Sequence, residues 1–264
     1  MEWANIQGWF DFADIYQQMV NHFPNGSRFV EIGSWLGRST VFMAEQIKRS
    51  GKSISLDAVD KWEGIAELVN DIRWGWNYLD ASFYDMFLEN LKLCNVDEYV
   101  FPIRANSLVA HTLYPDESID FLFLDTDHQF HTLTKELEYW YPKVKKGGII
   151  AGHDLNWPGV KTAVALFFLY KLGISEIIEI EPDGHPLLVL PKGWLPRLQT
   201  EPKVFHVGNS WLFTKQDIDR QHHWVEITPE ELKERQKQPM PVVDLEAIAN
   251  HNREIEANYL RKAV

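Results

Sequence analysis

Cysteine is almost missing from this sequence: Cys94 is the one thiol among 264 residues. Disulfides and thiolate-based zinc sites within the chain are therefore excluded, and a reducing, cytoplasmic setting is the expectation. Long apolar runs are missing too, since no stretch approaches the ~18–20 uninterrupted apolar residues of a membrane span. The opening Met1-Glu2-Trp3-Ala4-Asn5 shows no basic region followed by an apolar one, so no secretory leader is expected. Positive charge is scarce: 26 Lys and Arg face 38 Asp and Glu, a formal net charge of −12, and no basic run exceeds Lys145-Lys146. A phosphate backbone would meet a repulsive average field, so neither nucleic acid nor a membrane surface is the expected partner. A small molecule is.

What is present suits a globular protein with a real core: 45% of residues are apolar and 24% charged. There is no internal repeat and no low-complexity tract. Trp9, Ala13, Tyr16 and Val20 recur near a helical spacing, so residues 1–27 are expected to hold an N-terminal helix ended by Pro24-Asn25-Gly26. From there strands alternate with helices. Arg28 to Ile32, Ser53 to Val59, Tyr99 to Ile103, Ile119 to Leu124, Ile149 to Ala151, Ile174 to Ile180 and Ser210 to Thr214 read as seven strands. Ser39 to Arg49, Phe83 to Leu93, a helix carrying Leu133, Leu137, Trp140 and Tyr141, and Val160 to Leu172 read as the helices between them. The run Ile119 to Leu124 is nearly all apolar, as a parallel strand covered on both faces should be. This alternation predicts an α/β fold: a doubly wound, mostly parallel seven-stranded sheet over residues 28–215. Residues 61–80 and 182–202 are irregular and expected to be lid or substrate loops. Residues 216–264 are expected to form a polar helical C-terminal extension, folded on the core or reaching a second subunit of a homo-oligomer. Eleven tryptophans are a high count; most are expected to be packing residues, with some of Trp62, Trp74, Trp76, Trp157 and Trp194 lining a pocket.

In an open parallel sheet, ligands bind beyond the carboxyl ends of the strands. After the first strand comes Glu31-Ile32-Gly33-Ser34-Trp35-Leu36-Gly37-Arg38-Ser39. Gly33 lets the backbone turn sharply against a ligand, and the E-x-G-x-x-x-G spacing differs from the pyrophosphate-binding G-x-G-x-x-G. An acid beside a glycine bend suits a cationic ligand without phosphates. Asp60 follows the second strand, 27 positions after Gly33, where a carboxylate can accept hydrogen bonds from a ribose. Asn106-Ser107 follows the third strand and Asp125-Thr126-Asp127-His128 the fourth. His153-Asp154 follows the fifth. Converging carboxylates from Asp125 and Asp154 suit a hard divalent ion such as Mg²⁺, which needs only two or three protein ligands. Each acid is also an ordinary strand-end cap, and His128 is either a general base or a structural histidine.

In order and register, these pieces resemble the class I S-adenosylmethionine-dependent methyltransferases, whose fold is Rossmann-like. Phe29 to Thr40 resembles their first motif. Ala58-Val59-Asp60-Lys61-Trp62-Glu63-Gly64 resembles the second as found in a subgroup of macrolide-sugar O-methyltransferases and cephalosporin-hydroxylase-like proteins. Phe123 to His128, with Gly147-Gly148-Ile149-Ile150-Ala151-Gly152-His153-Asp154, resembles the remainder. The resemblance spans residues 28–160. It implies that Glu31, Gly33 and Ser34 meet the methionine part of S-adenosylmethionine, with Trp35 and Ser39 of the same motif also cofactor-binding. It further implies that Asp60 meets the ribose, with Asp125 also on the cofactor side; Asn106-Ser107, by its place after the third strand, is the expected contact to an adenine edge. Asp125 and Asp154 would hold the metal, and His128 would take the proton of a small-molecule hydroxyl. Two departures stand out: Leu155 rather than asparagine follows Asp154, and the third-strand motif reads Ala105-Asn106-Ser107 rather than Gly-Asp-Ser.

Fold and motifs leave three activities open. The first is metal-assisted O-methylation of a small molecule, a sugar by preference. The second is hydroxylase-like chemistry on the same fold, separable by a product that gains O instead of CH₂. The third is nucleoside binding without turnover.

Overall fold

The protein is represented by a computed structural model that describes residues 1–63, 82–172, 177–180, 198 and 203–215. Most of the two expected substrate loops, residues 64–81 and 182–202 apart from Leu198, and the whole C-terminal extension lie outside the described residues.

The chain lays down α1 (Ala13–His22), β1 (Arg28–Ile32), α2 (Arg38–Ser50), β2 (Ser55–Asp60) and α3 (Phe83–Leu93). It continues with β3 (Val100–Arg104), a short α4 (Ser107–Ala110), β4 (Ile119–Leu124), α5 (Phe130–Trp140) and β5 (Val144–Gly152). Then come α6 (Pro158–Ala165), a π-helical turn Leu166–Lys171, and strands β6 (Ile177–Ile180), β7 (Val204–Val207) and β8 (Ser210–Thr214). The strands form one sheet in the order β3-β2-β1-β4-β5-β8-β7-β6. Pairing is parallel except at β5–β8 and β7–β8. This is the doubly wound α/β fold expected, with all seven expected strands and one more. The eighth, Val204–Val207, is the outer arm of a hairpin with β8. Its two-residue loop opens on Gly208 at φ 60, the left-handed conformation such loops require. Four residues of Val-Phe-His-Val after a proline-rich stretch gave the periodicity too little length to read as a strand.

The core is divided by the sheet, and β4 shows how. Phe121 and Phe123 point to one face, against Tyr16 and Met19 of α1 and Val41 and Ile47 of α2. Leu122 and Leu124 point to the other, against Leu133, Leu137 and Trp140 of α5 and Val160 and Val164 of α6. Both faces are apolar because both are covered. The N-terminal stretch departs from a single helix: α1 begins only at Ala13, and Trp9, expected on its inner face, is 54% exposed. Residues 3–12 instead run as an irregular strap. The Gln7 amide oxygen accepts from the Trp35 indole at 2.5 Å, and the Gly8 carbonyl from Arg38 at 2.7 Å. Parallel pairing points the carboxyl ends of β1 to β5 the same way, so the residues that follow them gather along one edge. No helix among the described residues is long and apolar enough to cross a membrane.

Candidate active site

The edge begins with a bend that only glycine fits. Gly33 stands at φ 90, and a Cβ there would lie 1.7 Å from the Asp125 carbonyl oxygen. The tips of β1 and β4 are therefore pressed together, with the Asp125 N–H donating to the Ile32 carbonyl at 2.8 Å. Gly33 N–H donates to Val59 O at 2.9 Å, which brings the start of this bend beside Asp60 at the tip of β2. Glycine bend and ribose-candidate acid thus lie at the same edge.

Glu31 sits beneath the bend, buried at 1% exposure. Its oxygens accept from Tyr16 at 2.8 Å, from Ser34 at 3.0 Å, and from Thr40 and Ser39. Burial pushes its carboxyl up, and the four hydroxyls pull it partly back. Glu31, Ser34 and Ser39 are thereby one hydrogen-bonded unit that shapes the turn. Asp60 repeats the theme with backbone donors: the Trp35 N–H at 2.9 Å on one oxygen and the Trp62 N–H at 2.7 Å on the other. The Trp62 indole in turn donates to the Trp35 carbonyl at 2.7 Å. Asp60 thus accepts from three backbone N–H groups, those of Trp62, Trp35 and Lys61, and of the roughly four acceptor sites of a carboxylate one remains that fits a ribose hydroxyl. At the tip of β3, the Ser107 hydroxyl is half-buried and donates to Glu136 of α5 at 2.5 Å.

The tips of β4 and β5 are built differently. Asp125, His128 and Asp154 each offer a ligand atom, all within 4.8 Å of one another. His128 Nε2 is 2.7 Å from Asp154 Oδ2 and 3.5 Å from Asp125 Oδ1. His128 and Asp154 hold left-handed backbones at φ 58 and φ 56, as does Trp35 at φ 48. Such conformations in residues other than glycine are uncommon and collect where chemistry fixes the geometry. His153 is buried and spans two acids, Asp11 of the N-terminal strap at 2.7 Å and Asp154 at 3.3 Å. Trp157 stacks on His128 with ring centroids 5.4 Å apart, yet stays 46% exposed. Burial pulls the His128 imidazolium down, but hydrogen bonds to Asp125 and Asp154 outweigh it and carry its pKa up to about 10. Asp154, despite burial, is driven well below the usual carboxylate range by its two histidines.

Four contributors escaped the sequence reading. Asp11 lies in an apparently featureless strap. Tyr16 reads as a core position of α1. Glu136 reads as a surface position of α5 but is 0% exposed. Asn209 sits in the β7–β8 loop, donates to Asp154 Oδ1 at 2.9 Å and accepts from the Asn156 N–H at 3.1 Å. None has a local motif. Gly208-Asn209 is a turn-forming pair, and a turn pair says nothing of a site.

Residues 30–155 match the family described as a methyltransferase domain. An uncharacterised protein of Acanthamoeba polyphaga mimivirus is 28% identical over 155 residues, 57% of this chain and 63% of its own length. One from Sinorhizobium fredii is 23% identical over 158 residues, 54% of this chain and 16% of its own length. The chain thus spans less than two thirds of either curated relative. The solved structure of the O-methyltransferase NovP has a TM-score of 0.53 at 16% identity, covering 77% of this chain and 79% of that one. At that identity the likeness establishes the shared fold. Residues 30–155, just under half of the chain, are thus similar to a methyltransferase domain, and they carry both the glycine bend and Asp60.

Proposed function

We propose that this chain is an S-adenosylmethionine-dependent methyltransferase, with its cofactor core in residues 30–155, that methylates a hydroxyl oxygen of a small polyhydroxylated acceptor, a sugar by preference, with a divalent cation such as Mg²⁺ held by Asp125 and Asp154. The observation that carries this reading is the approach of Asp125, His128 and Asp154 beside the glycine bend. Likeness to NovP, an O-methyltransferase by name, supports oxygen as the acceptor atom. The net charge of −12 disfavours a nucleic acid in that place. Trp157, exposed beside His128, offers a flat apolar wall of the kind small-molecule sites use.

Methyl transfer from a sulfonium is an in-line displacement: the C–S bond breaks as the O–C bond forms, and the hydroxyl proton must leave. Holding the two reactants in line supplies several kcal/mol on its own, about 7 or more in favourable cases. A cation between the carboxylates would lower the pKa of the acceptor hydroxyl and orient it. His128 would receive the proton, yet as an imidazolium it has no lone pair to do so. It would become a base if Asp125 and Asp154 turned their charge to a bound cation, which ties the two roles together. Asp60 anchors the cofactor, and the Glu31 unit keeps the bend in shape.

A second reading has its own observation. The three ligand atoms lie close enough for His128 to be a third metal ligand, a donor set better suited to Mn²⁺ than to Mg²⁺. Nitrogen coupling in the spectrum of Mn²⁺-loaded protein, absent in His128→Ala, would favour it. The main test uses S-adenosylmethionine with a labelled methyl and a panel of sugars, sugar nucleotides and catechols. Label should appear on oxygen and vanish with chelator, and with Asp125→Ala or Asp154→Ala. Turnover that survives all three treatments removes the metal from the proposal, and label on nitrogen or carbon removes the hydroxyl.

A further inference from the structure

Glu136 is the most deeply buried acid outside the carboxylates already described, and the mechanism gives it no task. It projects from α5 at 0% exposure and takes one hydroxyl from each of two strand tips. Ser107, following β3, donates to one oxygen at 2.5 Å, and Thr126, following β4, donates to the other at 2.9 Å. α5 holds the same serine a second time, because the Trp140 indole donates to the Ser107 carbonyl at 3.0 Å. Burying a carboxylate is costly unless its lone pairs are met. A packing role alone would have been filled by leucine, the residue at the neighbouring inward positions 133 and 137.

A hydroxyl has one hydrogen and two acceptor sites. Once Ser107 has given its hydrogen to Glu136, it can only accept from anything on its open side. Ser107 is half-buried, so an open side remains. An oxygen restricted to accepting matches an exocyclic amine and repels a carbonyl. Adenine presents an amine at its 6 position; hypoxanthine presents a carbonyl there.

We propose that Glu136 is a positioning residue for cofactor recognition: by fixing the Ser107 hydroxyl as an acceptor, it makes the base subsite select a 6-amino purine over a 6-oxo one. The proposal rests on Ser107 facing the adenine, and its test separates the two. A mispaired hydrogen bond in a desolvated site costs on the order of tenfold or more in affinity. The carboxylate form is the one that enforces the rule. Burial raises the Glu136 pKa to about 7 against the pull of Ser107 and Thr126, with Asp127 adding to the rise and His128 opposing it. Binding is therefore measured at pH 8.

The experiment is calorimetric titration of the full chain with S-adenosylhomocysteine and with S-inosylhomocysteine. Wild type should prefer the adenosine compound by on the order of tenfold or more. In Glu136→Gln, of the same shape, the amide can donate to Ser107 and free its hydrogen, so the preference should fall several-fold, chiefly through tighter binding of the inosine compound. General loosening of the fold would instead weaken both ligands together. In Ser107→Ala the preference should also fall, through weaker binding of the adenosine compound. An unchanged ratio in Glu136→Gln, with the ratio lost in Ser107→Ala, overturns the role of Glu136 while keeping Ser107 at the base. An unchanged ratio in Ser107→Ala removes Ser107 from the base and the proposal with it. Should Glu136→Gln fail to fold, Glu136→Asp serves: its shorter reach should release one of the two hydroxyls and lower the preference, and an unchanged ratio there counts against the proposal.

Discussion

The two ends of the strand-tip edge keep their acids in opposite company. At the tips of β1 and β2, Glu31 and Asp60 are met by neutral donors, hydroxyls for the one and backbone N–H groups for the other. Burial wins there, and both carboxyls are pushed up. At the tip of β5, Asp154 is met by two imidazoles and is driven down although it is partly buried too. Neutral donors hold a shape without committing charge, which suits an end whose work is to seat a cofactor. Charged partners make an end that changes state when another cation arrives, which suits chemistry. On the proposed function, binding belongs to the first end and turnover to the second.

Gly33→Ala tests the seam where the two ends meet, and it should have the largest effect. A Cβ in contact with the Asp125 carbonyl, on a left-handed backbone, should cost about 3 kcal/mol or more. Denaturant unfolding should show that loss, and S-adenosylhomocysteine binding and turnover should fall together. A stable variant with full turnover would mean that the bend yields. Paired substitutions at the acids sharpen the contrast. Asp154→Asn should lower kcat on the order of 100-fold or more, with the affinity for S-adenosylhomocysteine within about threefold of wild type. Asp60→Asn should do the reverse, weakening S-adenosylhomocysteine binding on the order of tenfold while saturated kcat changes little. If each variant instead loses both properties equally, the division between the ends fails.

The same contrast explains what could be read from the sequence. The binding end is local: Glu31, Gly33, Ser34, Trp35 and Ser39 lie within nine consecutive residues, and a strand followed by a glycine bend leaves a local trace. The seven expected strands were legible because buried strands such as β4 are nearly all apolar. The turnover end is assembled from afar. Asp125, His128 and Asp154 were visible as strand-end residues, but Asp11 reaches His153 across 142 positions and Asn209 reaches Asp154 across 55. Side-chain pairing over such separations leaves no periodicity to read. Glu136 was invisible for a related reason. Its place in α5 is inward by helical phase, but an acid in that phase is indistinguishable from a surface position until its two hydroxyl donors are seen.

Asn209→Ala should act at the turnover end alone. Removing the donor to Asp154 Oδ1 leaves the ligand in place but less well aimed, and such supporting contacts are worth on the order of tenfold in metal affinity. Mn²⁺ titration followed by its spin resonance should show that weakening, with S-adenosylhomocysteine affinity unchanged. A loss of cofactor affinity of the same size would show the ends to be coupled through β8.

Glu136 supplies the most easily signed effect. It belongs to the neutral-donor company, since both its partners are hydroxyls, and its carboxyl stands at about 7 against an ordinary 4.5. The unfolded chain therefore gives up this proton first as pH rises, so folding stability is full below pH 4.5 and declines until about pH 7. The whole decline has a ceiling of roughly 3–4 kcal/mol, worth several degrees of melting temperature in a domain of this size. Glu136→Gln has no proton to lose. Its melting temperature relative to wild type should therefore rise between pH 5 and pH 8, while Asp60→Asn, whose acid is also raised by burial, should show the same sign at lower pH. A fall across that interval for Glu136→Gln would mean that its two hydroxyls more than offset the burial of the charge. The neutral-donor end would then be held by ionic strength of its own.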